Sequence, residues 1–376
     1  MKRTLRVIRW PLLWWTRFRS ARITWTGAEN VPREGPVLVL SNHVNELDPA
    51  MLILSANRPI QFLATQTLLR DNGPRARLLR HFGTVPKKKF TADTRAVRTL
   101  KGWAEAGGAV GVFPEGERSW DGRPLPLIPG IEKLIRMLNT PVVTARIQNG
   151  ERQAPRWARF MRRGRVHVTF DPPHWFARRE DPQVIRRWVE ERIAVRPGEG
   201  AAWPVKGGNL AAGLKNPLFA CPACLVVEAL EEAGDAVHCS ACTARWQVDT
   251  QNRLVSGERA LPLAEAFDRV REHFRALSCT DPAALEREGV VVRSGSARLR
   301  DGEDVDRVLG EGRFVLTRDR LTLDGTDWSV PLAAMRAVSV EMRDRLQVRT
   351  AEALFELDMP EDSALKWALF LEIWRG

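Results

Sequence analysis

The sequence contains no tyrosine, although it has 14 tryptophans, and it has only five cysteines and six histidines in 376 residues. Four cysteines form two CxxC pairs, which excludes a dense disulfide framework and is typical of metal ligands in a reducing compartment. Long apolar runs are also missing: the strongest N-terminal run, residues 10–16, is far shorter than the roughly 20 residues of a membrane-spanning helix. No small-residue cleavage site follows it, so we expect a cytoplasmic protein.

Acidic residues are scarce in the first half of the chain. Residues 1–200 carry 36 Lys and Arg against 18 Asp and Glu, whereas the remainder has a small acidic excess within the net charge of +12. Such a basic half is typical of proteins that meet a lipid leaflet, nucleic acid or phosphorylated substrates. Tryptophan favours membrane interfaces, although a compositional bias of the lineage explains its excess over tyrosine equally well.

Residues 1–27 are predicted to form an amphipathic membrane anchor. Leucines and tryptophans are interspersed there with seven cations before any acidic residue: Lys2, Arg3, Arg6, Arg9, Arg17, Arg19 and Arg22. Cations can meet anionic headgroups while apolar side chains enter the acyl boundary, and Pro11 divides the segment into two pieces. The protein would then lie on the inner face of the membrane. The alternative is that these apolar side chains pack on the protein's own core.

Three further regions follow the anchor. Residues 28–200 alternate between strand and helix patterns, which predicts an α/β fold with a mostly parallel sheet flanked by helices. Residues 216–255 hold the paired cysteines, and residues 260–277 have the apolar spacing of a connecting helix. Residues 285–376 contain short alternating runs and then a closing helix, which predicts a β-rich C-terminal domain.

The first candidate for chemistry is His43, which follows a predicted buried strand. Asp48, five residues later, could accept a hydrogen bond from one ring nitrogen and leave the other nitrogen as a base. Ser41 shows no sign of activation and no cysteine is near, so covalent catalysis is not indicated. A loop histidine followed by an aspartate is, by itself, more often structural than catalytic.

A second motif, Phe-Pro-Glu-Gly-Glu-Arg-Ser over residues 113–119, ends another predicted strand. Parallel strands of an α/β sheet bind ligands at their carboxyl ends. Glu115, Gly116 and Arg118 should therefore emerge at the same edge as His43. Arg118 could clamp a phosphate through two contacts, and Gly116 would let the backbone approach closely.

Together, the pattern Asn42-His43-x4-Asp48 and the 113–119 motif resemble the glycerolipid acyltransferase family, whose best-known members acylate lysophosphatidic acid. The lead-in at residues 27–36 and the later blocks at residues 83–89 and 140–143 are similar to the family's in type and order. The resemblance covers roughly residues 25–195. It implies an α/β acyltransferase domain over residues 28–200.

The resemblance also implies roles for individual residues. His43 would be the general base for the acceptor hydroxyl, and Asp48 would orient it. The acceptor would be held near its phosphate by Glu115, Gly116, Arg118 and Lys89. Lys87 or Lys88 could add charge, although a solvated basic turn explains these lysines as well. The acyl donor would be acyl-coenzyme A or acyl-carrier protein, and the partners a lysophospholipid acceptor and an anionic membrane surface.

Three residues depart from the family's pattern and bear on the identity of the acceptor. Glu117 replaces the usual threonine and adds negative charge beside the predicted phosphate site. Lys89 replaces an arginine, so a point charge replaces a fork. Thr144 stands where a second proline is common.

The two CxxC pairs predict a small zinc ribbon over residues 216–255. Fourteen residues separate them, close to a zinc-binding spacing, and four thiolates make a closed structural site for Zn²⁺. The ligands would be Cys221, Cys224, Cys239 and Cys242. His238 could be an alternative ligand, although we interpret it as a neighbour of this site. Cys279 is interpreted as an ordinary free thiol.

Zinc ribbons often bind nucleic acid, but the segment between these cysteine pairs is acidic, through Glu228, Glu231, Glu232 and Asp235. An acidic ribbon is a poor phosphate binder, so a docking or spacer role is favoured.

The C-terminal domain, residues 285–376, loosely resembles a pleckstrin-homology fold. Arg318, Arg320 and Arg336 could bind a lipid headgroup there, and an inert docking module explains the pattern equally well.

The sequence thus predicts an O-acyltransferase of lysophospholipid-like acceptors. Two other hypotheses stand beside it: a non-catalytic membrane adaptor on an acyltransferase fold, and a nucleic-acid-binding zinc-ribbon protein. The intact His43 and Asp48 pair argues against the adaptor.

Overall fold

A computed structural model describes residues 21–65, 84–87, 93–197, 203–280, 292–304 and 306–375. These residues form two compact units. The first comprises the described residues up to Arg156 together with those of Phe160–Gly208, and the second comprises Trp157–Arg159 and the described residues from Asn209 onward. In the described part of the chain, no helix is long and apolar enough to cross a membrane.

The first unit alternates strands and short helices. Its elements are β1 (Ala21–Thr26), β2 (Val37–Ser41), α1 (Asp48–Ala56), β3 (Ile60–Thr65), β4 (Val85–Lys87), α2 (Thr94–Glu105), β5 (Ala109–Val112), α3 (Ile131–Leu138), β6 (Val142–Gln148), α4 (Gly150–Gln153), β7 (Gly164–Phe170) and α5 (Pro182–Ile193). Asp93 caps α2 by accepting from the Ala96 backbone N–H, and Asp181 caps α5 through Gln183 in the same way.

The strands of this unit form one sheet in the order β1-β7-β6-β2-β5-β3-β4. β2 lies between β5 and β6 and is parallel to both, and β3 and β4 continue the parallel arrangement. β7 is antiparallel to β6, and β1 is parallel to β7. The predicted α/β fold with a mostly parallel sheet is therefore confirmed.

Two apolar layers cover the faces of this sheet. β2 is buried along its whole length, and its side chains alternate between the layers. Val37 and Val39 pack into the layer that contains α1, whereas Leu38 and Leu40 pack into the layer that contains α2, α3 and α5. A continuous apolar strand with helices on both sides keeps the ends of β2 and β5 in fixed positions, and the candidate site follows those ends.

The structure corrects the C-terminal boundary of the predicted anchor. Residues 21–26 form β1, whose pairing with β7 runs from Ala21 opposite Gly164 to Thr26 opposite Thr169. Ile23 and Trp25 pack against the core, because alternate residues of a strand point to the same face. Any anchor would therefore end by residue 20, and residues 1–20 lie outside the described part of the chain.

The second unit is rich in β-strands. Its elements are β8 (Leu230–Ala233), β9 (Ala236–Cys239), β10 (Arg245–Val248), β11 (Arg253–Ser256), β12 (Arg259–Pro262), α6 (Leu263–Thr280), β13 (Val292–Arg293), β14 (Ala297–Asp301), β15 (Val308–Gly312), β16 (Phe314–Leu316), β17 (Arg320–Leu323), β18 (Ser329–Pro331), β19 (Met335–Val340), β20 (Arg345–Thr350), β21 (Leu354–Asp358) and α7 (Ala364–Arg375).

These strands form three sheets with antiparallel pairing. β8–β12 make the first sheet in sequence order, next to the cysteine cluster. The C-terminal region has a four-stranded sheet, β13-β16-β17-β18, and a five-stranded sheet, β15-β14-β21-β20-β19. Helix α7 closes this region with Trp367 and Phe370 fully buried. The predicted β-rich C-terminal region with a closing helix is confirmed.

Candidate active site

His43 and Asp48 lie together at the carboxyl end of β2. His43 Nδ1 is 2.8 Å from Asp48 Oδ2, and Asp48 is fully buried at the first turn of α1. The same carboxylate oxygen accepts hydrogen bonds from the backbone N–H groups of Val44 and Asn45, at 2.8 and 2.9 Å. Since Asp48 occupies Nδ1, the geometry leaves Nε2 as the ring nitrogen for proton transfer.

Two buried asparagines fix the loop around this pair. The Asn42 side chain donates to the carbonyl of Ile147 and accepts from its N–H, which ties the end of β2 to β6. Asn45 donates to the Gln153 side chain at 2.6 Å and accepts from the N–H of Leu47. Sequence reasoning used Asn42 only as part of a motif and assigned Asn45 no function. Buried amides with both ends bonded hold a loop in one conformation.

The His43 ring is also held from the side by an aromatic stack. Phe113, the first residue after β5, stacks on His43 with ring centroids 4.1 Å apart and planes inclined by 15°. Phe62 of β3 stacks behind Phe113 at 5.2 Å. The imidazole is therefore fixed by one carboxylate and one ring, and its side chain remains 19% exposed. The sequence placed Phe113 in the motif but offered no signal for this contact.

Glu115 connects the two motif loops directly. Its Oε2 accepts from the backbone N–H of His43 at 3.0 Å, and its Oε1 accepts from the N–H of Leu125 at 3.2 Å. The backbone N–H of Ser119 donates to the carbonyl of His43, also at 3.0 Å. The resemblance assigns Glu115 to the acceptor. The structure places it in the interior, 5% exposed, with both oxygens bonded to backbone groups.

Gly116 and Arg118 lie where the loop turns outward. Gly116 is exposed and has φ of 77°, a left-handed conformation that suits glycine, and a Cβ there would lie 2.5 Å from Ile128 Cγ2. Arg118 is half-buried, and its positive charge lowers the pKa of His43. The structure thus brings His43, Asp48, Glu115, Gly116 and Arg118 to one edge of the sheet. Lys89, with Lys88, lies outside the described residues.

Burial shifts the pKa of two of these groups. Burial lowers the pKa of His43 below its usual value. The hydrogen bond and charge of Asp48 oppose this shift, and the positive charges of Arg118 and Arg156 reinforce it. His43 is therefore neutral near pH 7, as a base must be. Burial raises the pKa of Glu115 to about 7, against the effect of its two backbone hydrogen bonds.

Arg156 is a site residue that sequence reasoning missed. It follows α4, and its Nη1 lies 2.9 Å from Glu117 Oε2 and 2.5 Å from the carbonyl oxygen of Arg118. Its guanidinium group also lies over the Trp120 ring, 4.4 Å from the centroid. No motif contains Arg156, and 38 or more residues separate it from its partners, so the sequence carried no local signal for it.

The four paired cysteines form a separate cluster in the second unit. Their sulfur atoms all lie within 4.8 Å of one another, with Cys221 and Cys242 at 3.9 Å and Cys224 and Cys239 at 3.7 Å. Zn–S bonds of ~2.3 Å in a tetrahedral site place sulfur atoms about 3.8 Å apart. The cluster therefore fits a metal ion. His238 contacts Glu231 at 3.0 Å, and the metal-ligand group contains cysteines alone among the described residues.

Comparison with known proteins finds acyltransferase matches within the first unit. Residues 22–148 match the family model described as Acyltransferase. A 1-acyl-sn-glycerol-3-phosphate acyltransferase of Borreliella burgdorferi is 25% identical over 134 residues, which cover 34% of this chain and 52% of that protein. The chain thus spans about half the length of the curated relative it matches.

Two solved structures show weaker likeness. The 1-acyl-sn-glycerophosphate (LPA) acyltransferase PlsC of Thermotoga maritima has a TM-score of 0.42 at 24% identity, covering 51% of this chain and 76% of that one. The N-terminal PH domain of human ARAP2 has a TM-score of 0.18 at 12% identity, covering 22% of this chain and 74% of that one. Both TM-scores are below the level that indicates a shared fold, so neither likeness assigns a fold or a function.

The matched residues 22–148 include β2–β6 and the His43 loop, so this part of the first unit is acyltransferase-like. Residues 22–148 of this chain are thus similar to acyltransferases of the 1-acyl-sn-glycerol-3-phosphate type.

Proposed function

We propose that this protein is an O-acyltransferase that moves a fatty acyl group from acyl-coenzyme A or acyl-carrier protein to the hydroxyl group of a lysophosphatidic acid-like lipid. One observation supports this above the others. The His43 Nδ1–Asp48 Oδ2 contact of 2.8 Å lies in a loop that Glu115 and Ser119 hydrogen-bond to the 113–119 loop. The proposed base and the loop proposed to bind the acceptor's phosphate thus lie at the same edge of the sheet.

In this mechanism His43 acts as the general base. Its Nε2 takes the proton of the acceptor hydroxyl as that oxygen attacks the thioester carbonyl carbon. The C–S bond of the resulting intermediate then breaks, and the leaving thiolate takes the proton from His43. Asp48 keeps the ring oriented throughout and stabilises its transient positive charge. No covalent acyl-enzyme is needed, since both substrates are bound side by side and react as if intramolecular.

The acceptor's phosphate is proposed to lie at Gly116 and Arg118, with Lys89 adding charge. A left-handed glycine allows the phosphate close to the loop backbone, and the guanidinium of Arg118 provides a planar two-point donor. Glu115 is proposed to hold the loop for the acceptor rather than to touch it, because both of its oxygens accept backbone hydrogen bonds.

The test is an acceptor screen with labelled acyl-coenzyme A and acyl-carrier protein in parallel. We expect labelled product and free thiol with lysophosphatidic acid, and at least tenfold less with monoacylglycerol, which lacks the phosphate that a charge-assisted pair would recognise. Thiol release that ignores the acceptor, or none with either donor, would contradict the proposal. Lipid binding without thiol release would favour the adaptor hypothesis.

Membrane association on the cytoplasmic inner face is part of the proposal. The register puts Ala21 opposite Gly164, at the edge of the sheet where β2 ends and where the candidate site lies. Phe160 and Met161, just before β7, are 56% and 41% exposed next to the exposed Arg163. Apolar and cationic side chains at one edge suit an anionic bilayer surface.

Vesicle flotation at two salt concentrations tests this association. Deleting residues 2–20 should reduce binding to vesicles with anionic lipid, and high salt should reduce binding of the intact chain. The double variant Phe160→Ser/Met161→Ser should weaken binding further. A matched control, Val97→Ser, changes an exposed apolar residue of α2. Binding that is equal for all variants would remove this part of the proposal.

Zinc is the metal proposed for the cysteine cluster. Four thiolates in a closed tetrahedral set suit Zn²⁺, which would be structural because no ligand position is left for a substrate. Cys221, Cys224, Cys239 and Cys242 would hold it. Purified protein should contain about one zinc ion per chain, measured by atomic emission, and Cys221→Ser should lower both zinc content and thermal stability. Native protein without metal would refute the assignment.

A further inference from the structure

We propose that Arg156 is a positioning residue for acceptor recognition: it neutralises Glu117 and holds the carbonyl of Arg118, so that the loop at the candidate site keeps a positive charge for a phosphate. This inference rests on the proposed function and adds a specificity determinant to it.

The contacts of Arg156 define this role. Its side chain is only 3% exposed, whereas that of Glu117 is 49% exposed, so the arginine reaches the loop from inside the protein. Nη1 binds both the Glu117 carboxylate and the Arg118 carbonyl, and the Trp120 ring covers the guanidinium at 4.4 Å. One cation therefore contacts three residues of one loop, Glu117, Arg118 and Trp120, each through a different kind of contact.

Charge explains why the loop needs this cation. Glu117 stands where the family's pattern has threonine, next to Arg118, and an uncompensated carboxylate there would repel an anionic acceptor. Arg156 supplies the compensating charge at 2.9 Å. The positive charges of Arg156 and Arg118 also lower the pKa of His43, so both cations lie near the proposed general base. Glu117 and Arg156 are thus one functional pair.

A structural ion pair would produce the same contacts, so the test must separate the two roles. Arg156→Met keeps an apolar side chain against Trp120 and leaves Glu117 exposed to solvent rather than buried. We expect KM for lysophosphatidic acid to rise about 10- to 100-fold, the effect of removing a charge beside an anion. KM for acyl-coenzyme A should change little. KM for monoacylglycerol should rise much less than KM for lysophosphatidic acid, since no phosphate is present.

Rescue of the acceptor KM by a second substitution at Glu117 distinguishes the two roles more clearly than Arg156→Met alone. Glu117→Thr alone should not raise the acceptor KM, because it removes a carboxylate and keeps Arg156. Arg156→Met/Glu117→Thr should recover most of the acceptor KM because the repulsive carboxylate is gone. Arg156→Lys, which keeps the charge, should lie between wild type and Arg156→Met. The inference is overturned if Arg156→Met weakens both substrates and both acceptors equally, or if Glu117→Thr rescues nothing.

Failure of the proposed function is distinguishable from failure of this inference. If the wild type transfers no acyl group, lysophosphatidic acid binding is measured instead, as the rise in Tm that the lipid causes in each variant. The same order of affinities, with wild type and the double variant above Arg156→Met, supports the inference. Equal Tm shifts in all variants overturn it.

Discussion

Replacing Asp48 by asparagine removes one charge from the candidate site with the smallest change in shape. Asp48 Oδ2 accepts from His43 Nδ1, Val44 N and Asn45 N, and the amide oxygen of an asparagine could occupy the same position. Its NH₂ group would then lie at the position of Oδ1, for which no hydrogen-bond partner is found among the described residues. The loop geometry is kept, and the carboxylate's support for the imidazolium is lost.

The size of the effect follows from what the charge does. General base catalysis contributes about 10²- to 10⁴-fold, and most of it depends on a correctly oriented and stabilised ring. We therefore expect Asp48→Asn to lower kcat about 10²- to 10⁴-fold, or about 3 to 5 kcal/mol in the activation free energy. Three hydrogen bonds change from charge-assisted to neutral, which lowers the free energy of unfolding by about 1 to 3 kcal/mol.

The initial rate of thiol release at saturating lysophosphatidic acid measures kcat. Thermal melting followed by circular dichroism measures the loss of stability. A matched control, Asp181→Asn, makes the same chemical change at the N-cap of α5 and should leave kcat within about twofold, since only a surface cap is altered. An Asp48→Asn variant that turns over at the wild-type rate would refute the role given to the His43–Asp48 contact.

Two further predictions concern the 113–119 loop. Burial raises the pKa of Glu115 to about 7, so we expect kcat/KM to fall as pH decreases through about 7, because a protonated carboxyl cannot accept both backbone N–H groups. Glu115→Gln should be slower than the wild type, and its kcat/KM should not fall near pH 7 in a profile from pH 5 to 9. The stability of the fold should depend on pH in the opposite direction to activity. The contribution of Glu115 to the free energy of unfolding is fully present below about pH 4.5, the usual pKa, and is lost as pH rises through about 7. Gly116→Ala should raise acceptor KM and lower the free energy of unfolding by roughly 1 to 3 kcal/mol in urea titration, because φ of 77° and the contact with Ile128 disfavour a Cβ. A pH profile without a limb near 7, or an alanine variant with wild-type KM and stability, would contradict the respective prediction.

Local patterns were sufficient to predict individual elements of the first unit. The apolar spacing of residues 131–138 predicts a helix, and α3 has these bounds. Gly130 and Asn139 flank it with positive φ angles of 91° and 47°, and both residue types tolerate that conformation. Residues 21–26 show the limit of this reasoning. Their alternation suits a strand, but the basic run before them favoured an extended anchor, and only the pairing with distant β7 decides between the two.

The meeting of the two motif loops was predictable, but their internal contacts were not. The motifs follow β2 and β5, which are parallel neighbours, so both loops must emerge at one edge. The direction of the Glu115 side chain depends on where the His43 and Leu125 N–H groups lie in three dimensions. The position of Arg156 at the site depends on the three-dimensional path of the chain, which the spacing of residues in the sequence does not predict.

One departure from the family's pattern has a physical account in the first unit. Thr144, where a proline is common, donates its hydroxyl to Asp171 at 2.8 Å. Asp171 also binds Arg146 through both oxygens, each at 3.0 Å. A polar network of Thr144, Asp171 and Arg146 thus takes the place of an apolar ring at this position, and each of its members is hydrogen-bonded. Sequence alone could show the substitution but not its partners.

The measurement that tests the central claim most directly is acyl transfer by His43→Ala beside His174→Ala. His174 stacks on Trp188 and pairs with Val142, at the opposite end of β6 from the candidate site. We predict that His43→Ala, folded by circular dichroism and still able to bind lysophosphatidic acid, loses at least about 10²-fold in kcat, while His174→Ala stays within a few-fold of wild type. Undiminished transfer by folded His43→Ala would contradict the account.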